Sequence, residues 1–255
     1  MDCSGNGICE YYNQFDEKIP SCSPQDSKCR ARCSCVDGSY YGKDCSIDQL
    51  KFESIRDIRE SLCLNLLKTM YMQDISSTVL AQRAVSVSDL LIDPSQITPI
   101  GFVNCTMFLL HSIWISPYDA ASDDAIFPIF DALSIIMNGD EYDIFSDFEL
   151  SYISRSIEEL STFRKLWLVV GETSPEIITE NVRMIIKKDF YYRISGTTLE
   201  WPKSNLEIAY DIQLGGSNLL HLDEKVPADK SLIAFDSVGY NSLVYTRNIM
   251  VSIIF

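Results

Sequence analysis

The sequence predicts an α+β chain in which a small disulfide-rich module is followed by a helical subdomain packed with an antiparallel β-sandwich. Three observations carry the prediction. Seven of the nine cysteines fall between Cys3 and Cys45, apolar residues then recur at helical spacing to about residue 168, and the period changes to two beyond it. The expected units are therefore 1–46, 47–168 and 169–255.

The first unit has almost no apolar residues with which to build a core. A dense run of cysteines in such a segment reads as a disulfide framework, which forms and persists in an oxidising, extracytoplasmic compartment. Zinc is the competing use of clustered cysteines. The close pair here is Cys-x-Cys rather than Cys-x2-Cys, and no histidine lies in the cluster, so no metal is expected. Met1 and Asp2 lead straight into Cys3 with no apolar h-region, so either a signal has been removed or the chain is a piece of a longer one.

The segment runs Cys3-Ser-Gly-Asn-Gly-Ile-Cys9 and closes as Cys33-Ser-Cys35-Val-Asp-Gly38-Ser-Tyr40-Tyr41-Gly42-Lys-Asp-Cys45. This resembles an EGF-like module, whose C-terminal hairpin uses glycines for a tight turn and an aromatic to cover the last disulfide. The resemblance implies that Cys35 pairs with Cys45 and Cys3 with Cys33, and that the family's first cysteine, ahead of Cys3, is missing. Cys9, Cys22 and Cys29 remain in an enlarged central loop, and Cys9 is expected to pair with Cys22 or Cys29. Cys63 and Cys105 either bridge two helices or supply a partner for the leftover thiol; spacing alone does not decide. Calcium-binding members carry acidic residues before the first cysteine, a region not present here, so no calcium is expected.

In the second unit Leu50, Ile55, Ile58, Leu62, Leu66 and Met70 form one stripe of a helix of about 20 residues. Val79, Leu80, Ala84, Val85, Leu90 and Leu91 form another, capped at Ser76 or Ser77 and stopped at Asp93-Pro94. Ile100 to Ile115 is a buried helix or strand pair, interrupted by Asn104, Thr106, His111 and Ser112 and too short to span a membrane. Ser122-Asp123-Asp124 starts a helix carrying Ile126, Ile129, Phe130, Leu133, Ile136 and Met137, which ends at Asn138-Gly139 and has an awkward Pro128 inside. Ser146 and Glu149 form a capping box ahead of Ile153, Ile157, Leu160, Phe163 and Leu166.

In the third unit Val182, Met184 and Ile186 alternate with polar residues, as do Leu206, Ile208, Tyr210, Ile212 and Leu214. That is the pattern of half-buried antiparallel strands, and turn residues punctuate it as in a sandwich. Further strands are expected at 232–235, 243–245 and 249–255. The stretch from Leu168 to Met184 and the run Leu199-Glu-Trp-Pro202 are similar to the GAIN domain of adhesion receptors and polycystin-type proteins, often found near egg-jelly-receptor regions. That resemblance implies a helical layer with a twisted sandwich and, in many members, self-cleavage at His-Leu before Ser or Thr. Here Asp223 follows His221-Leu222, and a carboxylate is a poor substitute for the hydroxyl nucleophile, so no autoproteolysis is expected.

With 21 Lys and Arg against 36 Asp and Glu, the net charge of −15 disfavours nucleic acid and anionic membrane surfaces as partners. His111 and His221 are too separated for a metal pair, no Gly-x-Ser-x-Gly elbow or phosphate loop occurs, and His111 is expected to be a hydrogen-bonded core residue. The acidic groups at Asp119, Asp123 and Asp124, and at Asp140, Glu141, Asp143, Asp147 and Glu149, lack EF-hand spacing and read as solvated caps and loops. Asn104-Cys105-Thr106 is a sequon and Asn104 a candidate glycosylation site. The expected function is that of a non-enzymatic extracellular adhesion or structural segment of a larger surface or fibre-forming protein. It would need no cofactor and would contact other extracellular proteins, glycans or further copies of itself. A receptor ectodomain of the GAIN type is the first alternative and a secreted hydrolase the second.

Overall fold

The structure is a computed structural model that describes residues 3–13, 17–23, 29–36, 38–72, 74–137, 145, 147–172, 176–179, 181–190, 198–200, 219–221 and 232–240. It is a mixed α+β chain. Strands β1 (Gly7–Asn13), β2 (Lys18–Ile19) and β3 (Cys29–Cys35) form an antiparallel sheet in the order β2-β1-β3. A two-stranded hairpin of β4 (Tyr40–Tyr41) and β5 (Ile47–Asp48) follows, and it runs without a break into helix α1 (Gln49–Thr69).

Helices α2 (Ser77–Leu91), α3 (Pro99–Ile115), α4 (Pro117–Ala120), α5 (Asp123–Ile136) and α6 (Asp147–Trp167) build the main layer. Their starts follow from side chains that accept otherwise orphaned amides. Asp48 accepts from Lys51 N, Ser76 from Val79 N and Thr98 from Gly101 N, the last beside Pro99 at the first helical position. Ser122 precedes α5 as expected but makes no capping bond through its side chain; the acidic Asp123 and Asp124 of the first turn suit the helix dipole instead. Pro128 lies inside α5 and cannot donate to the carbonyl four residues earlier. The expected Asn138-Gly139 stop and the Ser146 member of the capping box lie outside the described residues.

The stretch from Ile100 to Ile115 resolves as helix, and α3 is the centre of the core. Phe102, Cys105, Phe108, Leu109, Leu110 and Ile113 are all at most 1% exposed, because α3 packs against α1, α2 and α6 at once. The core continues through Leu80, Ala84, Val87 and Leu91 of α2 and Ile126, Ile129, Phe130 and Leu133 of α5.

On α1 the expected inward stripe is met only in part: Leu66 packs on the core and Met70, just past the helix, is buried, but Leu50, Ile58 and Leu62 are 80%, 56% and 46% exposed, and Phe52 and Cys63 are buried in their place. The reason is that polar residues on the inward face have tasks at the ends of neighbouring helices. The Arg59 guanidinium donates to the Leu90 carbonyl at 2.9 Å and to that of Asp93 at 3.5 Å, satisfying the C-terminal end of α2. The Thr98 hydroxyl, which also caps α3, donates to the Glu60 carboxylate. At the same seam a Cβ added to Gly101 would lie 2.9 Å from Glu60 Cα, so glycine permits the close approach of α1 and α3 there. On α2 the corresponding difference is Val85, which is exposed, while the polar Arg83 is buried.

Beyond α6, β6 (Ile177–Ile178), β7 (Val182–Phe190) and β10 (Leu232–Tyr240) form an antiparallel sheet in the order β10-β7-β6, and β8 (Thr198–Glu200) pairs with β9 (Leu219–His221). In β7 the expected inward residues Val182, Met184 and Ile186 are fully buried and join the helical core, but the strand is not half-buried as expected, since Arg183 between them is buried too. Asn181 ties this sheet to α5: its backbone amide donates to Ser134 Oγ at 3.0 Å and its side-chain amide to the Ser134 carbonyl at 2.8 Å. The strands expected at 206–214, 243–245 and 249–255 lie outside the described residues.

Candidate functional site

The feature with most chemistry is the ribbon of β1 and β3. Its register sets Gly7 opposite Cys35, Cys9 opposite Cys33, Tyr11 opposite Ala31 and Asn13 opposite Cys29. Side chains alternate across a strand, so Cys9, Cys29, Cys33 and Cys35 share one face of the ribbon. The other face is polar apart from the exposed Ile8. There Lys18 Nζ meets Glu10 Oε1 at 2.6 Å, the Tyr12 hydroxyl donates to Glu10 Oε2 at 2.8 Å, and the Arg32 guanidinium lies 5.3 Å from the Tyr12 ring centre. These two bonds, that from Lys18 first, hold the Glu10 carboxyl below its usual range, and the Glu10 carboxylate raises the Tyr12 phenol.

Four disulfides occur among the described residues: Cys3–Cys33, Cys22–Cys29, Cys35–Cys45 and Cys63–Cys105. The expectation for Cys9 is corrected, since Cys9 is a free thiol and Cys22 bonds to Cys29 instead. Register explains why. Cys29 stands opposite Asn13, four residues along β1 from Cys9, or about 13 Å at strand rise, well beyond the span of a disulfide. The Cys35–Cys45 sulfurs also explain the Gly7 of the Ser-Gly-Asn-Gly spacer, because a Cβ there would approach Cys45 Sγ to 2.7 Å.

The module is fixed to the helical layer by an aromatic pair that sequence reasoning did not single out. Tyr41 stacks on Phe52 of α1 with ring centres 4.0 Å apart and planes 7° from parallel. Tyr41→Ala is expected to lower stability by about 1–2 kcal/mol. The loss should show as faster amide exchange at 47–53 with exchange in α5 unchanged, and equal exchange at 47–53 would contradict this role.

The other expected site residues are scattered. His111 is half-buried on α3 and makes no hydrogen bond among the described residues, so it is not the bonded core histidine expected. His221 ends β9, and Leu222 and Asp223 lie outside the described residues. Asp119 accepts from the Ser116 hydroxyl at 2.5 Å and Asp123 pairs with the buried Arg164, so these carboxylates organise the α4–α5 turn. Asp140, Glu141 and Asp143 lie outside the described residues. Among the described residues no group of three His, Cys, Asp or Glu that could hold a metal ion is found. No described helix is long and apolar enough to cross a membrane.

Asn104 is placed where a glycan acceptor is not expected. It lies in mid-helix on α3, Cys105 is bonded to Cys63, and the Thr106 hydroxyl is buried without a partner. Sequons are used on accessible loops, so α3 withdraws this one. Mass mapping of protein secreted from a glycosylating cell is expected to find Asn104 bare, and a glycan on it would contradict the packing of α3.

No protein-family profile matches the chain, and no curated protein matches it. Function is therefore argued from the residues.

Proposed function

We propose that the chain is a non-enzymatic segment of a larger extracellular or cell-surface protein, working through contacts with other proteins, glycans or copies of itself. The observation that carries this reading is the set of four disulfides, three of them within the first 45 residues. Such a density belongs to oxidising compartments and to modules too small to hold together by core alone.

On this reading residues 1–46 are an EGF-like module, supported by the pairs Cys3–Cys33 and Cys35–Cys45 and by the β4–β5 hairpin, whose turn carries Cys45. Residues 47–255 are a GAIN-like pair of subdomains, a reading supported by the packing of β7 and β10 against α6. Support for a contact role comes from α1, whose outward face carries Leu50, Ile58 and Leu62, with Tyr71 and Met72 exposed at its C-terminal end.

Expression through a secretory pathway, followed by alkylation without reduction, tests the compartment. One label per chain is expected, and labelling of all nine cysteines would contradict it. The non-enzymatic part fails if the purified chain hydrolyses ester, peptide or glycoside substrates and His111→Ala abolishes that activity.

A further inference from the structure

Helix α4 lies along the last turns of α6, and two bonds of the same kind fix it there. The Trp167 indole N–H donates to the Tyr118 carbonyl at 3.0 Å, and the Arg164 guanidinium donates to the Ala121 carbonyl at 3.1 Å. The first bond sets the Trp167 ring against that of Tyr118, with centres 4.6 Å apart and planes 24° from parallel. Each ring covers one face of the other, yet Tyr118 stays 46% exposed and Trp167 39%. Two large rings are thus held in place at the surface with apolar area still open to water, which is the make-up of a contact site.

A carboxylate stands beside this platform. Asp123 pairs with Arg164, which lies three residues along α6 from Trp167, or about 4.5 Å of helix rise. The Asp123 side chain is 77% exposed, and among the described residues only its Oδ1 is bonded, so Oδ2 remains open as an acceptor. Rings and acceptor are therefore displaced by the scale of one pyranose ring. A sugar lays the C–H groups of its apolar face on the electron-rich face of an aromatic ring, and a hydroxyl at its edge donates to a carboxylate.

The surrounding charges select the class of sugar. Arg164 and Lys165 are buried, whereas Asp123 and Asp124 are exposed. Sulfated and sialylated glycans find no exposed base there and meet like charge. Rings close to parallel also present flat surfaces rather than the facing walls that enclose a quaternary ammonium group. We propose that Tyr118, Trp167 and Asp123 form a binding site for the neutral hexopyranose units of a glycan. The two rings stack the sugar, and Asp123 accepts from its hydroxyl and fixes its orientation.

The site rests on the contact role proposed above and names one ligand for it. The full chain with its disulfides formed is titrated calorimetrically with cellohexaose and chitohexaose as polysaccharide probes and a high-mannose oligosaccharide as the glycoprotein probe. A heparin hexasaccharide is the acidic control. At least one neutral probe is expected to bind, its identity telling polysaccharide from glycoprotein, and heparin is expected not to. Trp167→Ala should weaken binding about tenfold, the loss of a stacking contact, while Trp167→Phe, which keeps a ring, should stay within about threefold. In the unaltered chain the bound sugar should protect Trp167 from oxidation by N-bromosuccinimide, with Trp114 as the reference in the same peptide maps. The site is overturned if no neutral probe binds, if heparin binds tighter than every neutral probe, if binding survives Trp167→Ala, or if Trp167 is oxidised equally with and without sugar. Each of these outcomes leaves the disulfide framework standing, whereas labelling of all nine cysteines would overturn the extracellular reading whatever sugar had bound.

Discussion

Replacing Cys63 and Cys105 together by alanine is expected to lower the unfolding free energy by about 4 kcal/mol, the loop-entropy value for a bridge of this size. The bond joins α1 to α3 across a sequence separation of 42, so its loss frees a large loop of the unfolded chain. Both sulfurs are fully buried, and they sit at the seam where Gly101 lets the two helices approach closely. The double variant is the right comparison because a single one would leave an orphaned thiol in the core. Urea unfolding should show a lower midpoint, and an unchanged midpoint would mean that α1 is held to α3 by packing alone.

Phe108→Ala is expected to cost about 3–5 kcal/mol, the range for removing a fully buried ring. For a chain of this size that lowers the thermal midpoint by about 10 °C. Phe108 is 1% exposed and lies under a cation: the Arg83 guanidinium is 5.4 Å from its ring centre. Arg83 is itself buried, donates to the Met70 carbonyl at 2.5 Å and to Ser112 Oγ at 3.2 Å, and is held below its ordinary pKa by desolvation. Truncating the ring removes packing and one of the few groups that stabilise this charge inside the protein. Differential scanning calorimetry checks the figure, and a loss below 1 kcal/mol would place Phe108 outside the core.

The helices were legible where local chemistry and packing agree. Ser76 caps α2 and Asp93-Pro94 ends it because capping depends on neighbouring residues alone, and β7 was legible because Val182, Met184 and Ile186 recur at every second position. The inward face of α1 was not, since Arg59 and Glu60 have the appearance of surface residues until the ends of α2 and α3 arrive beside them. That misplacement also hid the outward stripe of Leu50, Ile58 and Leu62.

The candidate site shows the same division. That the cysteines form a framework is a matter of density and could be read from the chain. Which one stays free could not, because it depends on the register that places Cys9 opposite Cys33 and Cys29 opposite Asn13. The Asn104 sequon misleads for a related reason: three residues define the motif, but the burial of Thr106 comes from a helix packed on several sides.

Mapping of non-reduced peptides from the secreted protein tests the proposed disulfide-framed extracellular chain most directly. The account predicts Cys3 linked to Cys33, Cys22 to Cys29, Cys35 to Cys45 and Cys63 to Cys105. Finding Cys35 and Cys45 as free thiols would contradict it.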